Sequence, residues 1–556
     1  MKKKRTLWQK LRRLVVWLAA IVVLLVGVVF LVLWRCIAQP PPLPPDVAIT
    51  QLAPEKRGDK VFLGKNWFGR REGLPVLYLT GSPFDRGYAN GVLTEKLIHR
   101  QEKELFDLLD LLIPRKWLQQ VVKGVVLFQT RRLPQYVAPE IQMEILGLTR
   151  GCPDIRPEAG PYYHRVLNYH AAQDISYMMM NSPLIRGGCT AFAAWGPATV
   201  GGHLLAGRNF DWEAAPVFDE DRVMILCEPD RGIPFLSLAW AGMAGCVSAI
   251  NREGLFIAVN GAPSHLPGDA RTPTCLVARE VAQYAHNLEE ATNIIARSQT
   301  FVSALFLVGS RRDGRFLVVE KMPSQTAVRV ETNVAFLVNA NHYLTTALKD
   351  DPINFQYLRA DTSLSREQRA TELLKAQSGK LDAAVAVEIL RDRQLPGGVS
   401  GGNGHRGSLN PLIATHSVAA DLTDGIFWAA CPPHQLGRFV AFDVNDFNHE
   451  LPDRAIGADP LLASGEYARY RQSVKELDDG WAAVKRKDPV AAVRSARRAE
   501  ELNPGYYKNA WLLGEELLLQ GDRVAAGRAL QDAQARQPAL GGERKRIEKL
   551  LQAAQR

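Results

Sequence analysis

Gly187-Gly188-Cys189-Thr190, followed one hairpin later by Gly207-Arg208-Asn209-Phe210-Asp211-Trp212, is the stretch that decides how this chain folds. Two glycines deliver a thiol to the start of a strand, and the returning strand brings an arginine and an aspartate to face it. A thiol of pKa about 8.5 is a weak nucleophile without a base beside it, whereas an α-amino group titrates at about 7.7–8.0. A free N-terminus at Cys189 would therefore let one residue act as nucleophile and base, which requires the chain to cut itself between Gly188 and Cys189. Gly187 and Gly188 place no side chain in the thiol's path to the Gly188 carbonyl and tolerate strained backbone. Asp211 is expected to hydrogen-bond the new amino group, and Arg208 to lower the thiol pKa. The alternatives are a buried, inert cysteine in a turn and a surface ion pair at i and i+3. Phe210 and Trp212 either wall a pocket or belong to the core.

Outward from this hairpin, residues 189–259 read as short strands punctuated by glycine. A helical stretch follows at 274–298, then strands at 303–308, 316–320 and 334–338. Upstream, a strand at 74–79 and the turn Gly81-Ser82-Pro83 lead into a helix over 85–112, with helix-like sequence to about residue 180. Helices bracketing many antiparallel strands predict a layered α+β domain. Residues 396–407 hold six glycines in twelve positions and read as a loop, with Arg406 a candidate for a substrate carboxylate.

The two ends differ from this centre. Residues 1–13 carry seven Lys and Arg and no acid, which leaves 61 basic against 58 acidic residues elsewhere and removes the support for nucleic-acid binding. Residues 14–34 are apolar, uncharged and long enough to span a bilayer, and that length predicts a retained single-pass anchor, with a signal peptide cut after Ala38 as the alternative. The N-terminus would stay cytoplasmic and the catalytic domain would be periplasmic or otherwise extracytoplasmic. Pro40, Pro41, Pro42, Pro44 and Pro45 then form a stiff spacer. At the C-terminus, Asp488 to Arg494 recurs as Asp522 to Arg528, and Ala499 and Pro504 recur as Ala533 and Pro538. That 34-residue offset is the tetratricopeptide period, and a last helix at 544–554 would cap the pair and help dock it on the catalytic domain. Seven scattered cysteines lack metal spacing, so neither a metal nor a cofactor is expected.

Four segments in order complete the pattern: Gly81-Ser-Pro-Phe-Asp-Arg-Gly-Tyr-Ala-Asn-Gly91, Gly188-Cys189-Thr190, Gly207-Arg-Asn-Phe-Asp-Trp212 and Asn339-Ala-Asn-His-Tyr343. With them, residues 74–440 resemble the acyl-coenzyme A:6-aminopenicillanate acyltransferase family (isopenicillin N acyltransferase type). The likeness extends more distantly to choloylglycine hydrolases and acid ceramidases, all N-terminal-nucleophile (Ntn) hydrolases. The resemblance implies a four-layer αββα sandwich with Cys189 as nucleophile and Asn341 as an oxyanion donor. Asn260 is the second oxyanion candidate and Asn339 an adjacent one; each asparagine could instead cap a turn. His342, His405 and His416 lack any signature of a cysteine–histidine enzyme.

The expected organisation is a basic tail and anchor at 1–37, a proline-rich linker at 38–60, a helical pro-region or α chain at 61–188, a catalytic β chain at 189–450, and tetratricopeptide-like helices at 465–556. The expected activity is autoproteolytic activation followed by cleavage of a linear amide, of N-acyl amine or N-acyl amino acid type, through an acyl-thioester on Cys189. An acyltransferase passing the acyl group to an amine is the alternative, and a non-catalytic scaffold binding a protein partner through the repeats is the competing class.

Overall fold

The computed structural model describes residues 34–172, 174–175, 187–213, 215–265 and 268–556, together with Trp17, Leu24, Gly27, Leu31 and Val32. Most of the apolar run at 14–34 lies outside these residues. Among the described residues no helix is long and apolar enough to cross a membrane, which overturns the expected single-pass topology and the extracytoplasmic placement built on it. The proline stretch is tied down at both ends, while Pro40, Pro42 and Pro45 themselves are exposed. Ala38 and Ile49 are buried in the main core, and Ala38 N donates to His164 Nδ1 at 3.0 Å, so both ends of this segment are packed onto the domain.

Two sheets form the centre. The larger has eleven strands in the order β1 (Glu55–Arg57), β2 (Lys60–Leu63), β3 (Asn66–Arg71), β4 (Leu74–Gly81), β7 (Arg222–Pro229), β8 (Phe235–Trp240), β9 (Ser248–Asn251), β10 (Leu255–Gly261), β11 (Ala304–Ser310), β12 (Arg315–Lys321) and β13 (Thr326–Arg329). Its pairings are antiparallel except for β4 with β7. The smaller has six antiparallel strands in the order β14 (Phe336–Asn339), β5 (Gly187–Gly196), β6 (Gly202–Trp212), β17 (Ala414–Asp421), β18 (Ile426–Ala430) and β19 (Phe439–Asp443). A two-residue ladder, β15 (Gln394–Leu395) with β16 (Val399–Ser400), lies in the glycine-rich loop.

Period-two alternation sets the layers. Ala191, Ala193, Ala206 and Val418 face Met224, Leu226, Phe256 and Leu305 of the larger sheet, while Phe192, Ala194 and Leu205 face helices. Gly207 is required on β6: it pairs with Phe192, and a Cβ there would stand 2.5 Å from the Phe192 ring. On the outer face of the larger sheet lie α1 (Pro83–Leu112), α3 (Pro139–Gly151), α4 (Tyr162–Tyr169), α5 (Thr274–Tyr284) and α6 (Leu288–Arg297), with α2 (Lys116–Gln129) following α1 in the chain. On the smaller sheet lie α8 (Ser363–Ala376) and α9 (Ala383–Leu390), after α7 (Pro352–Ala360). The result is the αββα sandwich of an α+β domain.

The Gly81 to Gly91 motif is the start of α1. Ser82 Oγ accepts from Asp85 N at 3.2 Å as N-cap, and Pro83 occupies the first turn. Gly87 and Gly91 then let α1 cross α3 at backbone distance: a Cβ on Gly87 would lie 1.8 Å from Glu144 O, and Gly147 and Gly151 of α3 are equally crowded by Phe84 O and Tyr88 O. Arg86, fully buried, donates from Nη2 to Glu140 and Glu144, each at 2.9 Å. Arg279 of α5 reaches the same Glu144 at 3.2 Å, so one carboxylate braces three helices.

Five further helices end the chain: α10 (Glu466–Arg486), α11 (Pro489–Leu502), α12 (Tyr507–Leu519), α13 (Arg523–Ala535) and α14 (Gly541–Gln555). The 34-residue offset has a local cause, since Asp488 and Asp522 each cap a helix by accepting from the amide three residues on. Small residues on the repeat permit close pairing: a Cβ on Gly480 would meet Leu512 at 2.5 Å, and one on Gly514 would meet Leu530 at 2.6 Å. The last helix docks on the sandwich through Arg544 Nη2, which donates to Arg359 O at 2.7 Å.

Candidate active site

Cys189 lies on β5 with the parity of Ala191 and Ala193, so its side chain points between the sheets, and it has no solvent exposure. The β5–β6 register places Cys189 opposite Phe210, and Gly188 opposite Asp211. Arg208, one pleat away, brings Nη2 to 3.9 Å from Cys189 Sγ. The same guanidinium donates to Val259 O at 2.6 Å and to Ser248 Oγ at 2.8 Å, and lies 4.3 Å above the Phe210 ring.

The main chain of Cys189 is held from two further elements. Asn341, just after β14, accepts from Cys189 N with Oδ1 at 2.8 Å. Arg366 of α8 donates from Nη1 to Cys189 O at 2.5 Å and to Thr190 Oγ1 at 2.8 Å, and from Nη2 to Asn341 Oδ1 at 2.9 Å. Gly188 is extended, without the left-handed φ that strain would require. What its missing side chain leaves room for is Arg366, whose Nη2 would be 3.4 Å from a Cβ there. Nitrogen, carbonyl and thiol of Cys189 are thus each met by a different side chain.

Burial pushes the Cys189 thiol up, with Arg208 and Arg366 opposing and Asp211 adding to the rise. Burial likewise pushes Asp211 up to about 7, against Arg366, Arg406 and Arg208. Asp211 is 2% exposed, and its Oδ1 has no hydrogen-bond partner among the described residues. In the uncut chain the expected bond from Asp211 to the Cys189 nitrogen is absent, because that nitrogen is a peptide amide turned to Asn341.

The asparagines are placed together, and the amide nitrogens of Asn341 and Asn260 are already engaged. Asn341 Nδ2 donates to Gly261 O at 2.8 Å, and Asn260 Nδ2 donates to Asn339 O at 2.7 Å and Ala340 O at 3.0 Å. Asn339 Nδ2 is buried without an acceptor among the described residues. The candidate histidines are poor bases, although His342 Nε2 and His416 Nδ1 are buried without a hydrogen-bond partner among the described residues. Burial and Arg208 hold His416 well below its ordinary pKa, and its Nε2 accepts from Arg208 Nη1 at 2.5 Å. Burial brings His342 down to about 4, and its Nδ1 pairs with Ser363 Oγ at 2.7 Å. His405 is turned away to Gln537 O.

Arg366 and Ser363 are the functional residues that sequence reading missed. They stand 177 and 174 positions after Cys189 in an ordinary helix start, with no motif around them. Beyond Trp212, an apolar cavity of about 120 Å³ opens between the sandwich and the upstream helices, lined by Ile98, Leu105, Leu148, Val166, Trp212, Phe218, Trp240 and Met243. Trp240 connects it to Cys189, since its ring packs on Phe210, the cross-strand partner of Cys189.

Comparison with known proteins agrees with this geometry at the level of family. The curated relatives include a protein of Archaeoglobus fulgidus described as uncharacterized, 27% identical over 57% of this chain, and protein dcd1A of Dictyostelium discoideum, 23% identical over 44% of it. The chain spans 58% of the length of each. Among solved structures, an N-acylethanolamine-hydrolyzing acid amidase ortholog of Caenorhabditis elegans is 16% identical, with TM-score 0.33 over 42% of this chain and 93% of that one. A mutant of the conjugated bile acid hydrolase of Clostridium perfringens is 15% identical, with TM-score 0.32 over 47% of this chain and 95% of that one. Residues 199–398, which carry Arg208, Asp211, Asn260, Asn341 and Arg366, match the model of the acyl-coenzyme A:6-aminopenicillanic acid acyl-transferase family, the family the four motifs resemble.

Proposed function

We propose that this protein is an amide-cleaving enzyme that matures by cutting its own Gly188–Cys189 bond and then uses Cys189 as an N-terminal nucleophile. The observation that carries the reading is the cage around one residue: Asn341 on its nitrogen, Arg366 on its carbonyl and Arg208 at its sulfur. An inert buried cysteine needs no such set of partners.

In maturation the Cys189 sulfur attacks the Gly188 carbonyl, and the peptide C–N bond breaks as the acyl group moves from nitrogen to sulfur and the thiol proton passes to the departing nitrogen. Water then hydrolyses the thioester and leaves the Gly188 carboxylate and a free Cys189 amine. That amine supplies a better base than the uncut chain holds, because burial keeps the thiol protonated and burial with nearby arginines weakens His342 and His416 as bases. In turnover the amine takes the thiol proton and sulfur attacks the substrate carbonyl. The amine product leaves with that proton, and an acyl-thioester remains. Asp211, opposite Gly188, lies where a carboxylate can hold the new ammonium. The cavity beside Trp212 suits an apolar acyl group, which supports N-acyl amines or N-acyl amino acids as substrates. With the extracytoplasmic placement overturned, the ground for preferring water over an amine as the final acceptor is gone, and acyl transfer stands beside hydrolysis. The 34-residue offset supports reading the C-terminal helices as tetratricopeptide-like.

Denaturing gels of the purified protein test the first step. Fragments of about 21 and 40 kDa are expected from 188 and 368 residues, the larger beginning Cys-Thr-Ala-Phe by Edman sequencing. An intact 61.6 kDa band in wild type, matched by Cys189→Ala, would falsify self-cleavage. A panel of N-acyl amides, each run with and without an added amine acceptor, separates hydrolysis from transfer.

A further inference from the structure

The glycine-rich loop at 396–407 touches both the catalytic region and the C-terminal helices. On the helix side, Asn503 after α11 is locked to the main chain of Asn403 in both directions: its Oδ1 accepts from Asn403 N at 2.9 Å, and its Nδ2 donates to Asn403 O at 2.8 Å. His405 Nδ1 accepts from Gly407 N at 3.0 Å, which leaves Nε2 to donate to Gln537 O at 2.9 Å, between α13 and α14. Two glycines make the approach close enough. A Cβ on Gly402 (φ +75) would stand 2.8 Å from Tyr506 N, and one on Gly404 (φ +87) would stand 2.8 Å from the Tyr470 side chain. On the other side of the same loop, Arg406 pairs with Glu213, two residues beyond Asp211.

We propose that the C-terminal helices are an intramolecular clamp that holds this loop so that Arg406 stays beside Glu213 and Asp211, making Asn503 and Arg406 positioning residues of the site. The inference rests on the reading of Cys189 and Asp211 as the reacting pair. Asp211 is faced by Arg366 from α8, Arg406 from the loop, Arg208 and Glu213 from its own strand and the segment after it, and Cys189 from β5. Of these charges, only Arg406 sits on a loop that the C-terminal helices grip, and the sandwich holds the same loop where Ser365 Oγ of α8 donates to Gly407 O at 2.8 Å. Withdrawing it leaves burial and Glu213 less opposed, so Asp211 keeps its proton to higher pH and the acid limb of the rate profile moves upward.

The test uses the full chain. Hydrogen exchange at residues 399–407 is compared between wild type and Asn503→Ala, with Asn503→Asp, which keeps the acceptor and loses the donor, as the milder variant should the first fail to fold. Exchange at least about tenfold faster in the variant is expected. The pH dependence of kcat/KM on a fluorogenic N-acyl anilide is then measured for wild type, Asn503→Ala, Arg406→Gln and Arg406→Lys. The acid limb should rise by about half a unit in Arg406→Gln, by less in Asn503→Ala, and return toward wild type in Arg406→Lys. Unchanged loop exchange overturns the clamp, as does an unmoved acid limb in an active variant whose loop has loosened. A wild-type chain that neither cuts itself nor cleaves the anilide at any pH overturns the amidase reading instead, while the exchange comparison still decides whether the helices hold the loop.

Discussion

Glu144 and Asp211 are both carboxylates with almost no exposure, 3% and 2%, both have arginines nearby, and they end in opposite states. Burial drives each up. At Glu144 the arginines win: Arg279 and Arg86 bond its oxygens directly and hold it below the usual carboxylate range. At Asp211 burial wins, because the surrounding guanidiniums have their hydrogen bonds elsewhere, Arg366 on Cys189 and Asn341 and Arg406 on Glu213. The first carboxylate is satisfied by its neighbours and welds helices together. The second is kept unsatisfied in a charged setting, the condition expected of a group reserved for chemistry.

The contrast is tested first at the nucleophile that Asp211 is proposed to serve. Cys189→Ala should abolish self-cleavage on gels and lower amide turnover by at least about 10⁴-fold. Glu144→Gln should cost about 3–5 kcal/mol in chemical denaturation, because it leaves two buried arginines short of their partner. A loss below about 1 kcal/mol would mean that Glu144 is no brace, and the comparison would collapse. Arg366→Met, which releases the Cys189 carbonyl and Asn341 Oδ1, should slow self-cleavage, followed by mass spectrometry, by about 10²-fold, the scale for misplacing a reacting group by about 1 Å.

The smallest effect has the most informative sign. A carboxyl whose folded pKa is raised, here from 3.8 to about 7, favours the fold while protonated and loses that contribution as pH rises through this window. In a Cys189→Ala background, Asp211→Asn should therefore match its parent at pH 4 and exceed it at pH 8 by on the order of 1 kcal/mol, measured by urea titration. A variant less stable than its parent at pH 8 would place Asp211 in the same class as Glu144.

Much of the sandwich was legible because its strands are short, apolar and marked by glycine. The hairpin with Cys189, Arg208 and Asp211 was legible because its partners are close in sequence. β1 to β3 were not read, although Gly58, Gly64 and Gly73 take the positive φ of tight turns between them. β1 is exposed and β2 mostly half-buried, and β3, though largely buried, mixes Asn66, Arg70 and Arg71 with its apolar residues, so the strand pattern is faint. Arg366 left no local trace, since its role arises only when α8 packs across the edge of β5. Asn341 was found, but its observed task of orienting the Cys189 nitrogen differs from the expected oxyanion contact.

The parallel pairing of β4 with β7 joins residues on opposite sides of position 188 within one sheet, from Val76 beside Met224 to Gly81 beside Pro229. A chain nicked at Gly188 would keep every hydrogen bond of that seam, along with the packing of α1, α3 and α4 on the sheet. The two pieces should then migrate as one particle in native chromatography and part only in denaturant. Such a cut would change the chemistry at one atom while leaving the quaternary bookkeeping of the molecule untouched.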